Sequence, residues 1–128
     1  MTELKPGLQA TETITVDNTN TAKTMGSGSL DVFATPSMVA LMEKAACSAI
    51  KEFLDPSDTS VGISLNITHD SATLLGKTVT ATAKLTEVDG KKLTFAVSAK
   101  DDYGNIGKGT HQRFIVNVEK FINKLKNK

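Results

Sequence analysis

Apolar residues recur along this chain with two different periods. From Pro36 to about Leu54, Met38, Leu41, Met42, Ala45, Ala46, Ala49 and Phe53 return at every third or fourth position, which predicts an amphipathic helix ended by Asp55-Pro56-Ser57. Elsewhere the period is two. Thr11 to Val16 sets Ile14 and Val16 against threonines and predicts a first strand. In Val61 to His69 the odd positions Val61, Ile63, Leu65 and Ile67 are apolar, and in Thr78 to Thr86 Val79, Ala81, Ala83 and Leu85 are. Leu93, Phe95, Val97 and Ala99 form the face of a further strand that ends at Asp101-Asp102-Tyr103-Gly104. The Val88-Asp89-Gly90 stretch before it signals a hairpin. A final strand runs from about Ile106 to Val118, where Gly107 and Gly109 point to a bulge or a close backbone approach. Asp17 to Asp31, with Gly26-Ser27-Gly28-Ser29 at its centre, reads as a long flexible loop of the kind that serves as a lid.

The order is therefore strand, lid-like loop, one long helix and an antiparallel meander of four strands. Each strand offers an apolar face and only the helix over 36–54 can cover them, so the expected fold is α+β, with a curved sheet of about five strands wrapped around a central helix. With 128 residues and 39% apolar content, one domain over 1–128 is expected. Val118, Phe121, Ile122 and Leu125 make an amphipathic stripe backed by lysines, so residues 119–128 read as a basic tail or a short docking helix. Fifteen basic against fourteen acidic residues leave a net charge of +1, which provides no field for nucleic acid or an anionic membrane. The first residues lack the apolar run of a signal peptide and no stretch approaches a membrane span, so a cytoplasmic protein is expected. The single cysteine, Cys47, permits no internal disulfide and lies in a small-residue run that reads as core.

Two polar residues break the apolar pattern. On a helical wheel Lys44, Ser48 and Lys51 share one side, whereas Glu43 falls within the apolar arc, where a carboxylate is desolvated unless it is partnered. His69 continues the apolar odd phase of its strand, so its imidazole should point towards the helix and is suited to proton transfer beside a carboxylate. The alternatives are a solvated glutamate at the edge of the stripe and a histidine that caps the strand end through Asp70 or backbone. Thr35-Pro36 is a helix-start signature, with the hydroxyl as cap and proline in the first helical position. A hydroxyl there is also well placed for carbonyl chemistry, because the free N–H groups of a helix N-terminus can receive an oxyanion. His111 and Arg113 share a strand face and either contact a phosphate or meet solvent. There is no phosphate-binding glycine loop, no serine-centred nucleophile elbow and no HExxH zinc spacing, so neither a cofactor nor a metal is called for.

These residues form a string: Phe33-Ala34-Thr35-Pro36, Leu41-Met42-Glu43, Val61-Gly62, Thr68-His69 and Gly109-Thr110-His111-x-Arg113. From about Thr11 to Phe121 it resembles the fluoroacetyl-CoA thioesterase-like branch of the hot-dog superfamily. The resemblance implies a hot-dog fold, hydrolysis of a small acyl-CoA, and a catalytic set that falls on Thr35, Glu43 and His69. It further implies a glycine near the reacting carbonyl and an arginine in the acyl-CoA pocket, matching Gly62 and Arg113, and a homodimer with acyl-CoA bound near its interface. The chain departs from the founding enzyme in the loop, where Met25-Gly26-Ser27-Gly28-Ser29-Leu30 replaces an aromatic lid. A non-catalytic acyl-CoA-binding module and a hydratase-like enzyme are the alternatives.

Overall fold

The computed structural model describes residues 3–128. Strand β1 (Gln9–Thr15) and a segment carrying a four-residue helix, α1 (Ala22–Met25), lead into the long helix α2 (Thr35–Ile50), which tightens into a 3-10 turn at Lys51–Phe53. Strands β2 (Asp58–His69), β3 (Thr78–Asp89), β4 (Lys92–Asp101) and β5 (Gly104–Asn117) follow, and helix α3 (Val118–Lys126) closes the chain. All strand pairs are antiparallel, in the order β1-β3-β4-β5-β2. The sheet curls around α2 in the hot-dog arrangement expected. The meander, however, has three strands rather than four: β2 crosses over to pair with β5 and forms an edge.

The period-two faces of β3 and β4 lie where the pattern puts them, with Val79, Ala81, Ala83, Leu85, Leu93, Phe95, Val97 and Ala99 all buried. Against them α2 sets Met38, Leu41, Met42, Ala45, Ala46, Ala49 and Ile50. Its polar side lies along β1, where Glu12 receives Lys44 Nζ at 3.6 Å and the Ser48 hydroxyl at 2.7 Å. The hairpin turns at Gly90 with φ of 61°, positive at the first central residue only, the pattern of a primed II′ turn. Gly107 provides the expected close approach: a Cβ there would lie 2.9 Å from Met38 Cε and 2.5 Å from the Thr68 carbonyl, so its absence lets α2 settle onto the sheet.

Strand β2 departs from simple alternation. Gly62 lies opposite Arg113 and Leu65 opposite His111, with the register shifting between Gly62 and Ser64, so Ile63 is the extra residue of a bulge. The bulge reverses the phase. Leu65, Ile67 and His69 face α2 as expected, but Val61 and Ile63 do not; before the bulge Ser60 and Gly62 take the inner face, and Ile63 is 49% exposed. The loop over 17–31 is also more ordered than its composition implies. Thr21 caps α1 by accepting from the Thr24 N–H, Gly26 ends the helix in the left-handed conformation, and Asn20 donates to the Thr15 carbonyl. Helix α3 forms, capped by Asn117, but Val118, Ile122 and Leu125 stay largely exposed rather than docking on this chain.

Candidate active site

Five residues singled out by pattern or resemblance fall into two groups along α2. At the start of α2 the cap is Ala34, which has no side chain to offer, so Thr35 is the first helical residue and not the cap. Its hydroxyl is thereby released to bond His69 Nδ1 at 2.7 Å, and that bond replaces the expected cap. Pro36 contributes no N–H, and the first-turn N–H groups of Thr35 and Ser37 precede the first intrahelical bond, from Met38 N–H to the Ala34 carbonyl. The positive end of the helix macrodipole is thus open beside a hydroxyl and an imidazole.

His69 ends β2, and its other ring nitrogen, Nε2, is buried without a hydrogen-bond partner. Burial holds the imidazole below its ordinary range, partly offset by the Ser71 backbone and the charge of Asp70, so at neutral pH the ring is mostly uncharged. An unpaired buried ring nitrogen is costly to maintain unless something visits it. It borders an open cavity of about 460 Å³ lined by Thr35, Phe33, Asp70 and Ser71 on one side and by Ser27, Gly28, Ser29 and Leu30 on the other. The lid-like segment therefore forms a wall of this cavity.

The second group lies eight positions further along α2, about 12 Å at the helical rise of 1.5 Å per residue. Glu43 Oε2 lies 3.3 Å from Arg113 Nη1. The Glu43 side chain is 40% exposed and that of Arg113 only 8%, so the carboxylate is a partnered group at the rim, not a bare charge in the core. Arg113 also donates to Ser60, bonding Oγ through Nε at 2.8 Å and the carbonyl through Nη2 at 3.0 Å. His111 is buried behind it, stacked on Phe95, so His111 and Arg113 form an interior network instead of meeting solvent. Gly62 completes the group. A Cβ there would stand 2.7 Å from Glu43 Oε2, so the glycine makes room for the carboxylate. Beside it, Val39, Glu43, Gly62, Leu65 and His111 line a groove of about 210 Å³ between α2 and β2, whose inner face α2 barely covers.

The structure thus brings Thr35 to His69, and Glu43 to Gly62 and Arg113, but it does not bring Glu43 to His69 within one chain. Ser60 and Ser64, which hold Arg113 and His111, carry no sequence signal because the Ile63 bulge that turns Ser60 inward is itself invisible in the pattern.

The family model described as FlK, fluoroacetyl-CoA-specific thioesterase, matches residues 16–119. The fluoroacetyl-CoA thioesterase of Streptantibioticus cattleyicolor is 45% identical over 98 residues, covering 77% of this chain and 70% of that protein. The solved structure of fluoroacetyl-CoA thioesterase FlK superposes with a TM-score of 0.92 at 36% identity, over 99% of this chain and 98% of that one. A variant of FlK in complex with acetyl-CoA gives a TM-score of 0.89 at 36% identity over 97% and 98%. Matched over residues 16–119 and 45% identical to the Streptantibioticus cattleyicolor protein, the chain belongs to the fluoroacetyl-CoA-specific thioesterase family.

Proposed function

We propose that this protein hydrolyses a small acyl-CoA thioester to the free acid and CoA, with Thr35, Glu43 and His69 as its catalytic residues. The observation that carries the reading is the Thr35–His69 hydrogen bond at an uncapped helix N-terminus, with an unpaired imidazole nitrogen beside a cavity. A thioester carbonyl placed there would find N–H donors for its developing oxyanion. The neutral imidazole of His69, oriented by Thr35, handles the proton of the attacking water or of the departing thiol. Glu43, with Oε2 engaged by Arg113, keeps Oε1 to attack the carbonyl or to activate water. The similarity to FlK, solved as a variant with acetyl-CoA, supports acyl-CoA as the substrate class. The segment over 17–31 acts as a lid, and its Ser-Gly-Ser tip lacks the aromatic bulk that would select the smallest acyl groups.

The working unit in this reading is a cytoplasmic homodimer. Strand β2 is an edge with one side of its backbone unpaired, and two copies joined antiparallel about Ser64 would set His69 of one copy beside Thr59 and Ser60 of the other. Those positions lie next to Arg113 and Glu43, so each site would unite the Thr35–His69 pair of one copy with the Glu43–Arg113 pair of its mate. This accounts for the separation of the two groups within one chain.

Thiol release from a panel of acyl-CoA esters tests the activity. Glu43→Gln, His69→Ala and Thr35→Ala should each lower kcat, and full turnover by Glu43→Gln would refute the assignment. Mixing Glu43→Gln with His69→Ala protein after subunit exchange should restore activity, because half of the exchanged dimers then carry one intact composite site. No recovery despite exchange would place each site within a single chain.

A further inference from the structure

Behind Glu43 lies a contact that hydrolysis as described does not use. His111 Nδ1 lies 2.9 Å from the Ser64 carbonyl, which can only accept, so Nδ1 carries the ring proton. Nε2 is then a bare acceptor, and it lies 3.2 Å from Arg113 Nη1, the same nitrogen that reaches Glu43. A buried guanidinium donating to a neutral imidazole is unusual, because arginine ordinarily spends its donors on carboxylates, phosphates or carbonyls. Here every nitrogen of the guanidinium is engaged: Ser60 takes Nε and Nη2, while His111 and Glu43 share Nη1.

We propose that His111 is a positioning residue for Glu43: its unprotonated Nε2, fixed by the Nδ1–H bond to Ser64, holds the Arg113 guanidinium at the angle that directs Nη1 to the carboxylate. The inference rests on Glu43 being the working carboxylate. The ring is placed from two sides, by Phe95 stacked at a centroid distance of 6.1 Å and by the Ser64 carbonyl, and Gly62 leaves room beside it, since a Cβ there would lie 3.4 Å from His111 Cε1. Burial, with the nearby Arg113 charge adding to it, keeps His111 below its ordinary range despite the opposing pull of the Ser64 carbonyl and Glu43. The charged groups facing the ring are Arg113 from β5 and Glu43 from α2; β4 presents Phe95 and β2 presents uncharged Ser64 and Leu65.

Two variants and two readouts test this. His111→Phe keeps the ring volume and the stack on Phe95 but removes the acceptor, whereas His111→Gln restores a carbonyl oxygen that can accept from Arg113. In thiol-release assays His111→Phe should lose about a hundredfold in kcat with KM little changed, the scale of a displaced catalytic group, and His111→Gln should recover much of it. Independently of turnover, nitrogen NMR of the Arg113 side chain should show separate, slowly exchanging Nη signals in the parent protein and in His111→Gln, merging in His111→Phe. Retained Nη separation in folded His111→Phe protein overturns the positioning role, whatever the activity. If His111→Phe does not fold, His111→Leu, which also lacks an acceptor, takes its place: retained Nη separation in that variant would assign the holding to Ser60 and overturn the proposal. If the Nη signals respond as expected but no acyl-CoA is turned over by the parent protein, the positioning geometry stands and the hydrolytic reading fails.

Discussion

Replacing Gly62 with alanine puts a methyl group where the structure leaves least room beside the proposed site. The new carbon would stand 2.7 Å from Glu43 Oε2 and 3.4 Å from Arg113 Nη1, so it lies alongside the ion pair. To reach ordinary contact the carboxylate has to retreat by about 0.7 Å, stretching a separation that is already 3.3 Å towards the limit of an ion pair. The atom that yields is the tip of a flexible side chain, 40% exposed, so the loss of this pair costs less than about 1 kcal/mol and the thermal midpoint should fall by a few degrees at most. The effect on catalysis should be much larger. A misplacement near 1 Å is worth about a hundredfold in kcat, equivalent to about 2.7 kcal/mol of barrier. Glycine-to-alanine enzyme is assayed by thiol release at saturating acyl-CoA, with calorimetry on the same sample. A kcat within about twofold of the parent, in a protein that remains folded, would show that the placement of Glu43 does not limit the reaction.

Thr35→Val, nearly isosteric, should lower kcat sharply while Thr35→Ser, which keeps the bond to His69, should not; equal losses would deny the hydroxyl its orienting role. Both histidines are held below their ordinary 6.5, so on acidification the unfolded chain takes up protons first and stability falls as pH drops through about 6.5 towards the folded-state values. Urea midpoints should therefore be lower at pH 5.5 than at pH 7.5, and the drop should shrink in His111→Gln; a flat profile would contradict the burial described. Thr21→Ala removes the cap of α1 at a cost of about 1 kcal/mol and should speed hydrogen exchange over residues 22–32, with β3 and β4 unaffected. Gly107→Ala meets a backbone carbonyl 2.5 Å away and should cost stability by about 1–3 kcal/mol, measured by denaturant titration, because no flexible side chain can absorb the clash.

The helix and the two central strands were legible because burial on one face leaves a periodic record. Val79 to Leu85 and Leu93 to Ala99 alternate without interruption, and α2 carries small and apolar residues around much of its circumference. Strand β2 was read in the wrong phase over its first half, since one extra residue at Ile63 reverses which side chains face in and leaves apolar Val61 and Ile63 looking like core. Adjacency in the chain likewise suggested that β2 pairs with β3, whereas the pairing partner is set by long-range packing. At the site, Glu43 and His69 stood out as polar residues in apolar positions, but their partners did not. Arg113 holds Glu43 across a separation of 70 residues, and Thr35 resembled an ordinary cap until Ala34 proved to occupy that position. Polar partnership leaves no periodic trace in one sequence.

The segment between β1 and α2 is anchored at its two ends to the connection between β2 and β3, where Val16 bonds to Gly76 and Lys77 and Phe33 to Thr73, while its middle is held by local bonds. Asn20 bonds to Thr15 and Asp17, Thr21 to Thr24, Thr24 to Asn18, and the Ala22 and Lys23 amides to Val32 and Leu30. Its tip at Gly28–Leu30 lines the cavity without supporting Glu43 or Arg113. The tip is therefore a replaceable cassette. Grafting tips of other length and bulk should alter which acyl group the proposed site admits, while the side chains of α2, β2 and β5 keep their contacts.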